Sequence, residues 1–285
     1  SAFIRIFFVN LTATALPGEH ISPRIYTIVP IALIYFYIWS RLQSKNASGG
    51  RLQRMIAALL ACFGTGSIVA LLYLEIRPEW IVVAWAVTVA ALLVWAFFFN
   101  RTILLYQAEF LAAGIAVRGL AHNIFGSSYF TSGNWSGDLS ALSATAAILL
   151  LCLPIAFRLK TRLDDAVPSR LVRRLALHRP EQILFFAPVI LVAFTTAVKL
   201  SPGTVTLAWA VEGLIMIFLG LLAGQRSYRI AGLALLLLCV AKIVFRDAWH
   251  LGERDRYITF IVLGGALTLV STLYGKYRDT VRRLL

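Results

Sequence analysis

Runs of about twenty apolar residues recur along the whole chain, and they constrain its fold more than any other feature. Each run is long enough to cross a hydrocarbon layer ~30 Å thick at roughly 1.5 Å per helical residue. Because 60% of the 285 residues are hydrophobic and only 14% are charged, a soluble domain could not bury this much apolar surface. The sequence therefore predicts a polytopic membrane protein and excludes a soluble nucleic-acid binder, a secreted disulfide scaffold and a disordered chain.

Nine full membrane spans are predicted, after a short apolar piece at residues 2–9. Strands of a membrane barrel would alternate polar and apolar residues, and these runs do not, so helices are required. The predicted fold class is all-α, a polytopic transmembrane helical bundle. The nine spans have the approximate bounds 26–42, 54–74, 80–99, 103–122, 139–157, 182–198, 205–222, 230–245 and 257–274.

Basic residues account for the net charge of +14, and they are concentrated in alternate loops. Such loops face the cytoplasm by the positive-inside rule. With nine spans, the basic loops at 41–54 and 158–179 and the C-terminal tail all fall on the cytoplasmic side. We therefore expect a multi-pass protein of the bacterial cytoplasmic (inner) membrane with its C-terminus inside. Residues 168–178 are predicted to form an interfacial amphipathic helix, and a solvated basic linker is the alternative.

An internal repeat appears when the sequence is shifted by 124 residues. The shift places the motif Ala84-Trp-Ala-Val on Ala208-Trp-Ala-Val, and Arg118 on Lys242. Each copy would contain four spans, so the copies would point the same way, as tandem parallel four-helix repeats. The predicted division is the end of a preceding unit at 1–50, a first unit at 51–160, an amphipathic cytoplasmic linker at 161–180 and a second unit at 181–285.

The first 42 residues carry traces of the last half of such a unit. Arg5 and Asn10 have the five-residue separation of Arg118 and Asn123. A half-unit is a poor beginning for a protein, so we expect the chain to be the C-terminal part of a longer one.

A family resemblance rests on the second copy. Residues 228–247 read YRIAGLALLLLCVAKIVFRD, residues 256–264 read RYITFIVLG and residues 271–274 read STLY. This pattern resembles the bacterial membrane proteins of domain-of-unknown-function family 2339, closely over the last part of the chain and more loosely over both copies. The resemblance implies a long chain with many spans, and it implies no activity and no catalytic residues.

Two acidic residues interrupt the apolar spans, Glu109 in the fourth and Glu212 in the seventh. Ionisable groups within the hydrocarbon are costly, so each is a candidate site. The repeat does not preserve either acid, because Glu212 aligns with Thr88 and Glu109 with Leu233. One interpretation is a carboxyl group that joins packed helices; the other is a proton- or cation-coupling site in a secondary transporter.

Two basic residues follow the repeat instead, Arg118 and Lys242, near the ends of the fourth and eighth spans. One interpretation is that they reach the lipid headgroups or cap their helices, with Asn123 or Asp247 accepting a hydrogen bond. The other is a cationic pocket for a lipid phosphate or carboxylate. The candidate ligand-binding residues are Glu109, Glu212, Arg118, Lys242 and Asp247.

Motifs of known enzyme classes are absent from the sequence: it has no Walker loop, dinucleotide fingerprint, His-Glu-x-x-His or Gly-x-Ser-x-Gly. The three cysteines lack metal or redox spacing, and His122 and His250 are isolated. Trp85 and Trp209 are interpreted as packing anchors, with a ligand-stacking pair as the alternative. No catalytic residue, metal or cofactor is expected.

The expected function is non-enzymatic: an envelope protein that binds or moves a lipid or amphiphile, or that scaffolds partners. The expected partners are the bilayer, anionic lipids and other membrane proteins. A secondary transporter using Glu109 and Glu212 is the first alternative. A membrane enzyme acting on lipid-linked substrates is the second, and its acids would come from Asp138, Asp247, Glu253 and Asp255.

Overall fold

A computed structural model describes residues 23–44, 51–99, 101–124, 135–163, 179–243 and 245, together with ten separate positions between 257 and 272. The described residues are almost all helical, and no strand occurs among them. Contacts divide the chain into two compact units, Ser1–Pro188 and Val189–Leu285.

Nine helices are bounded within the described ranges, and a π-helical turn at Gly119–Ile124 continues the fourth. The first unit contains α1 to α6, and α7 crosses the division between the units at Pro188. In order, they are α1 (Pro23–Ser44), α2 (Arg51–Glu75), α3 (Ile81–Phe99), α4 (Thr102–Arg118), α5 (Trp135–Leu151), α6 (Leu153–Leu163), α7 (Pro180–Lys199), α8 (Pro202–Leu222) and α9 (Arg226–Lys242).

Within the described residues, seven helical segments are long and apolar enough to cross a membrane. They match the first seven predicted spans, so the all-helical, multi-pass architecture is confirmed. The eighth predicted span, 230–245, overlaps α9, whose 17 residues are shorter than the seven. Most of the ninth, 257–274, lies outside the described residues. The count of nine spans stays a prediction.

The first unit is built on contacts of α1 with α2 and of α3 with α4 and α5. Gly64 in α2 lets the Phe36 ring of α1 come close, because a Cβ atom at Gly64 would lie 3.0 Å from that ring. Phe36 and Trp39 also pack against Trp95 of α3, with ring centroids 5.1 and 6.2 Å apart. The indole N–H of Trp85 in α3 donates to the Val69 carbonyl oxygen of α2 at 3.3 Å.

The second unit is built on α8 packed closely against α9. Gly213 and Gly232 face each other, since a Cβ atom at Gly232 would lie 2.6 Å from the Gly213 carbonyl oxygen. Small residues of this kind let helix backbones approach where lipid supplies no hydrophobic driving force. Trp209 of α8 donates to the Ala193 carbonyl oxygen of α7 at 3.0 Å.

The two indole hydrogen bonds occupy positions related by the offset of the sequence repeat. Trp85 and Trp209 are 124 residues apart, and so are their acceptors Val69 and Ala193. This local geometry is what a duplicated unit predicts, and the division into units at 51–160 and 181–285 stays a prediction. Most of the linker predicted at 161–180, including the amphipathic stretch 168–178, lies outside the described residues, as does the N-terminal trace at Arg5 and Asn10.

Candidate functional site

Arg118 is the predicted site residue with the most distinctive surroundings. It ends α4, and its guanidinium carbon lies 4.9 Å from the ring centroid of Tyr73 in α2 and 5.8 Å from that of Trp85 in α3. Its Nη2 donates to the Pro78 carbonyl oxygen at 3.4 Å. Cation–π attraction to two rings holds the guanidinium group at the point where α2, α3 and α4 meet.

A groove begins at this guanidinium and runs along α4. Its volume is about 480 Å³, which lies within the range of ligand-binding sites, ~300–1,000 Å³. We call it the Arg118 cavity. Trp85 forms one wall. The other wall is a stripe on α4 and the π-helical turn that continues it, which we call the α4 stripe, formed by Phe110, Ala113, Gly114, Val117, Arg118, Ala121 and His122. The stripe is lipid-accessible, since the side chains of Phe110 and Val117 are 81% and 67% exposed.

The chemistry at the end of the Arg118 cavity suits an anion. Guanidinium offers five N–H donors in a plane and cannot accept a hydrogen bond. In Arg118 the bond to Pro78 uses one nitrogen, and the buried Nε atom has no hydrogen-bond partner among the described residues. A buried donor without a partner is costly, and a bound anionic oxygen would satisfy it.

A second cavity lies between α2 and α4. It has a volume of about 420 Å³, and we call it the Gln107 cavity. Thr65 donates to Gln107 Oε1 at 2.6 Å, and Gln107 Nε2 donates to Cys62 Sγ at 3.4 Å. Phe110 lines both cavities, so the two are neighbours along the same helix.

Lys242, which aligns with Arg118, is placed differently. Its Nζ atom donates to Thr206 Oγ1 of α8 at 2.7 Å, so the ammonium group helps to join α8 and α9. Asp247 lies outside the described residues. Asn123, which follows Arg118 by five residues, donates from Nδ2 to the Glu79 carbonyl oxygen at 3.0 Å and ties the π-helical turn to the α2–α3 connection.

The two intramembrane acids are both buried at their oxygen atoms. Glu109 lies on the buried face of α4, with no exposed surface, away from the exposed stripe that lines the Arg118 cavity. Neither its oxygens nor those of half-buried Glu212 have a hydrogen-bond partner in the described part of the chain. The carboxyl group of Glu181, at the start of α7, interacts electrostatically with that of Glu109.

Comparison with known protein families agrees with this architecture. Residues 105–277, which are 173 of the 285 residues, match the family model of domain-of-unknown-function family 2339 (DUF2339), described as a predicted membrane protein. The chain belongs to this family. The resemblance inferred from the second copy is therefore confirmed. The match covers α4, α8 and α9 of the DUF2339 chain and so includes Glu109, Arg118, Glu212 and Lys242. No curated protein and no solved structure matches the sequence.

Several site residues of this DUF2339 protein were missed by sequence reasoning. Tyr73, Thr65 and Gln107 have no intramembrane charge and no counterpart in the repeat, so nothing in the sequence marked them. The α4 stripe, by contrast, is visible in the sequence as a spacing pattern. Gly114 and Ala121 lie four positions before and three positions after Arg118, and Ala113, Val117 and Ala121 follow one another at intervals of four, so residues without large side chains line the helix beside this cation.

Proposed function

We propose that this protein binds an anionic phospholipid in the Arg118 cavity. The lipid phosphate would accept hydrogen bonds from Arg118, and an acyl chain would lie along the exposed stripe of α4 towards Phe110. The observation that carries the proposal is the position of the Arg118 guanidinium, stacked against Tyr73 and Trp85 at the end of an apolar, lipid-accessible groove.

The cavity offers partners for both parts of a phospholipid, its phosphate group and its acyl chain. A guanidinium can donate two parallel hydrogen bonds to one phosphate, and such charge-assisted bonds are about twice as strong as neutral ones. The rest of the cavity wall is almost entirely apolar, and His122 at the same end is the other titratable side chain that lines it. A small soluble anion would leave this apolar length unused, whereas an acyl chain would fill it.

The distribution of basic residues supports a location for this site. Arg101 precedes α4 on the side that the positive-inside rule assigns to the cytoplasm, so Arg118 would face the outer leaflet of a bacterial cytoplasmic membrane. The proposal includes this orientation and a cytoplasmic C-terminus. It is a binding function, without a chemical step.

Native mass spectrometry of the purified protein, with phosphatidylglycerol as the probe, tests the proposal. We expect wild-type protein to retain the lipid and Arg118→Gln to bind it about ten- to a hundred-fold more weakly, because charged hydrogen bonds contribute ~1.5–3 kcal/mol. Gly114→Leu should also lower retention, because Gly114 lines the Arg118 cavity and a leucine side chain there would occupy it. A Cβ atom added at Gly114 would have no neighbouring atom within 4 Å, so the change should not disturb helix packing.

Two matched variants provide the controls. Gly264→Leu makes the same change at another helical glycine where an added Cβ atom has no neighbour within 4 Å. Lys242→Gln removes the cation that aligns with Arg118 in the sequence repeat. Both should retain phosphatidylglycerol. Equal retention by wild type and Arg118→Gln, or equal losses in Gly114→Leu and Gly264→Leu, would contradict the proposal.

A second candidate function, proton-coupled transport, is supported by Glu109. This carboxyl group is fully buried in the membrane-spanning part of α4, it lacks a hydrogen bond to the described residues, and a second buried carboxyl group, Glu181, interacts with it. Buried intramembrane carboxyl groups are typical of proton relays.

The test uses protein-containing vesicles that enclose a pH-sensitive dye, with a membrane potential imposed across their bilayer. Proton-coupled transport through Glu109 predicts proton entry in the wild type and in the control Glu75→Gln, and its loss in Glu109→Gln. Equal proton entry in Glu109→Gln and Glu75→Gln would contradict a role for Glu109.

A further inference from the structure

The two cavities adjoin at Phe110 and together form a track along α4. Phe110 contributes to both. The residues of α4 and of the π-helical turn that line them, from Ile103 to His122, follow each other at helical spacing on the same side of the helix. Ile103 and His122 are 19 positions apart, which corresponds to about 28 Å along a helix. A bilayer has a hydrocarbon core ~30 Å thick, so the track extends across nearly all of it.

The Gln107 cavity contributes polar groups within the membrane. The Gln107 amide has both donors and an acceptor, and it holds Thr65 and Cys62 through hydrogen bonds of 2.6 and 3.4 Å. Tyr106 lines the same cavity. Polar side chains at this depth are costly unless they are hydrogen-bonded, and they often line the path of a polar substrate. These groups can exchange their hydrogen bonds for bonds to a lipid headgroup, and so lower the free energy of moving that headgroup through hydrocarbon.

Phe110 separates the two halves of the track. Its side chain is 81% exposed, so the ring can change rotamer without displacing a packed neighbour. Glycines line the track on both sides of this ring, Gly66 in the Gln107 cavity and Gly114 in the Arg118 cavity, and a Cβ atom at either would meet no atom within 4 Å. Both halves are therefore open beside the helix backbone.

We propose that the exposed face of α4 is a transfer track that carries an anionic phospholipid between the two leaflets, with Phe110 as the divider between its halves. This inference rests on the proposed function, because the lipid enters at the same Arg118 cavity. No covalent step is involved: the acyl chain leaves the stripe for the surrounding lipid as the headgroup moves from Arg118 past Phe110 to Gln107.

Proteoliposomes with a trace of acyl-chain-labelled fluorescent phosphatidylglycerol test the transfer. A membrane-impermeant reductant bleaches the label in the outer leaflet, and the slow phase that follows reports lipid arriving from the inner leaflet. The wild type should transfer lipid faster than protein-free vesicles. Gly66→Leu should slow it about tenfold, equivalent to ~1.4 kcal/mol in the barrier, by filling the Gln107 cavity. Phe110→Ala should accelerate it.

The controls separate transfer from binding and from misfolding. Gly66→Leu should still retain phosphatidylglycerol in native mass spectrometry, because the Arg118 cavity is intact, and Gly264→Leu should transfer at the wild-type rate. Wild-type protein that retains the lipid but transfers it no faster than empty vesicles overturns the transfer inference and leaves the binding proposal standing. Equal rates for Gly66→Leu and Gly264→Leu, or a slower rate for Phe110→Ala, also overturn it. Failure of the binding proposal would appear separately, as wild-type protein that retains no lipid.

Discussion

Replacing Gly232 by alanine should destabilise the α8–α9 pair, because this glycine lies where the two helix backbones are closest. An added Cβ atom would lie 2.6 Å from the Gly213 carbonyl oxygen, 2.8 Å from Ile217 Cγ1 and 3.0 Å from the Ile217 backbone nitrogen. Two of these three neighbours are backbone atoms. A rotamer change cannot relieve those contacts, so the helices must move apart.

The size of the effect follows from two opposing terms. Ordinary carbon contacts begin near 3.5 Å, so the helices must separate by roughly 1 Å at this point. Overpacking of this kind costs about 1–3 kcal/mol. Alanine gains up to ~1 kcal/mol over glycine in a helix interior, which offsets part of that cost. The two terms leave a net loss of up to about 2 kcal/mol for Gly232→Ala.

Thermal unfolding in detergent, compared between Gly232→Ala and Gly114→Ala, measures this effect. Both glycines are helical, but Gly114 has no atom within 4 Å of an added Cβ, so its replacement should leave the midpoint unchanged or raise it. Gly232→Ala should lower the midpoint by several degrees, since 1 kcal/mol corresponds to ~2–4 °C in domains of 150–250 residues. A midpoint for Gly232→Ala equal to that of Gly114→Ala would refute the close backbone approach.

The paired indoles and the Arg24–Glu75 ion pair give two further predictions. Trp85→Phe and Trp209→Phe should each lower the free energy of unfolding by about 0.5–1 kcal/mol, measured by unfolding in detergent, because each removes a hydrogen bond to a helix carbonyl oxygen. The Trp209 N–H is shared with Thr196 Oγ1 at 3.1 Å, so its loss should be at least as large as that of Trp85; a loss from only one of the two would contradict their equivalence. Glu75→Gln should cost under ~1 kcal/mol in the same assay, because the Arg24–Glu75 contact is long, at 3.7 Å, and partly exposed; a larger loss would show that this pair holds α1 to α2.

The architecture could be predicted from the sequence because lipid leaves the backbone few choices. An apolar run of about twenty residues must be helical to satisfy its hydrogen bonds in hydrocarbon, so seven spans could be bounded to within a few residues. The tryptophan positions could be predicted for a similar reason. Trp85 and Trp209 stand in a duplicated motif, and both donate to a carbonyl oxygen 16 residues earlier.

The site could be predicted only in part, because charge is visible in a sequence and shape is not. Arg118 and Lys242 are equivalent by the repeat, yet Arg118 lies beside a cavity and Lys242 binds Thr206. The difference depends on neighbours from other helices, among them Tyr73, which aligns with Ala197 in the second copy. Without the aromatic ring, the second copy lacks one of the two stacking partners. Contacts between helices that are far apart in sequence carry no local pattern.

Photo-crosslinking with a phosphatidylglycerol that carries a diazirine in its acyl chain is the most direct test of whether this lipid occupies the Arg118 cavity. The crosslinked residues are mapped by mass spectrometry of the wild type in lipid nanodiscs and compared with those of Arg118→Gln. If the lipid occupies the Arg118 cavity, the adducts should be concentrated on Ala113, Val117 and Ala121, and Arg118→Gln should largely remove them. Adducts spread evenly over all lipid-facing helices, with Leu237 and Leu238 of α9 labelled as strongly as the α4 stripe, would contradict it.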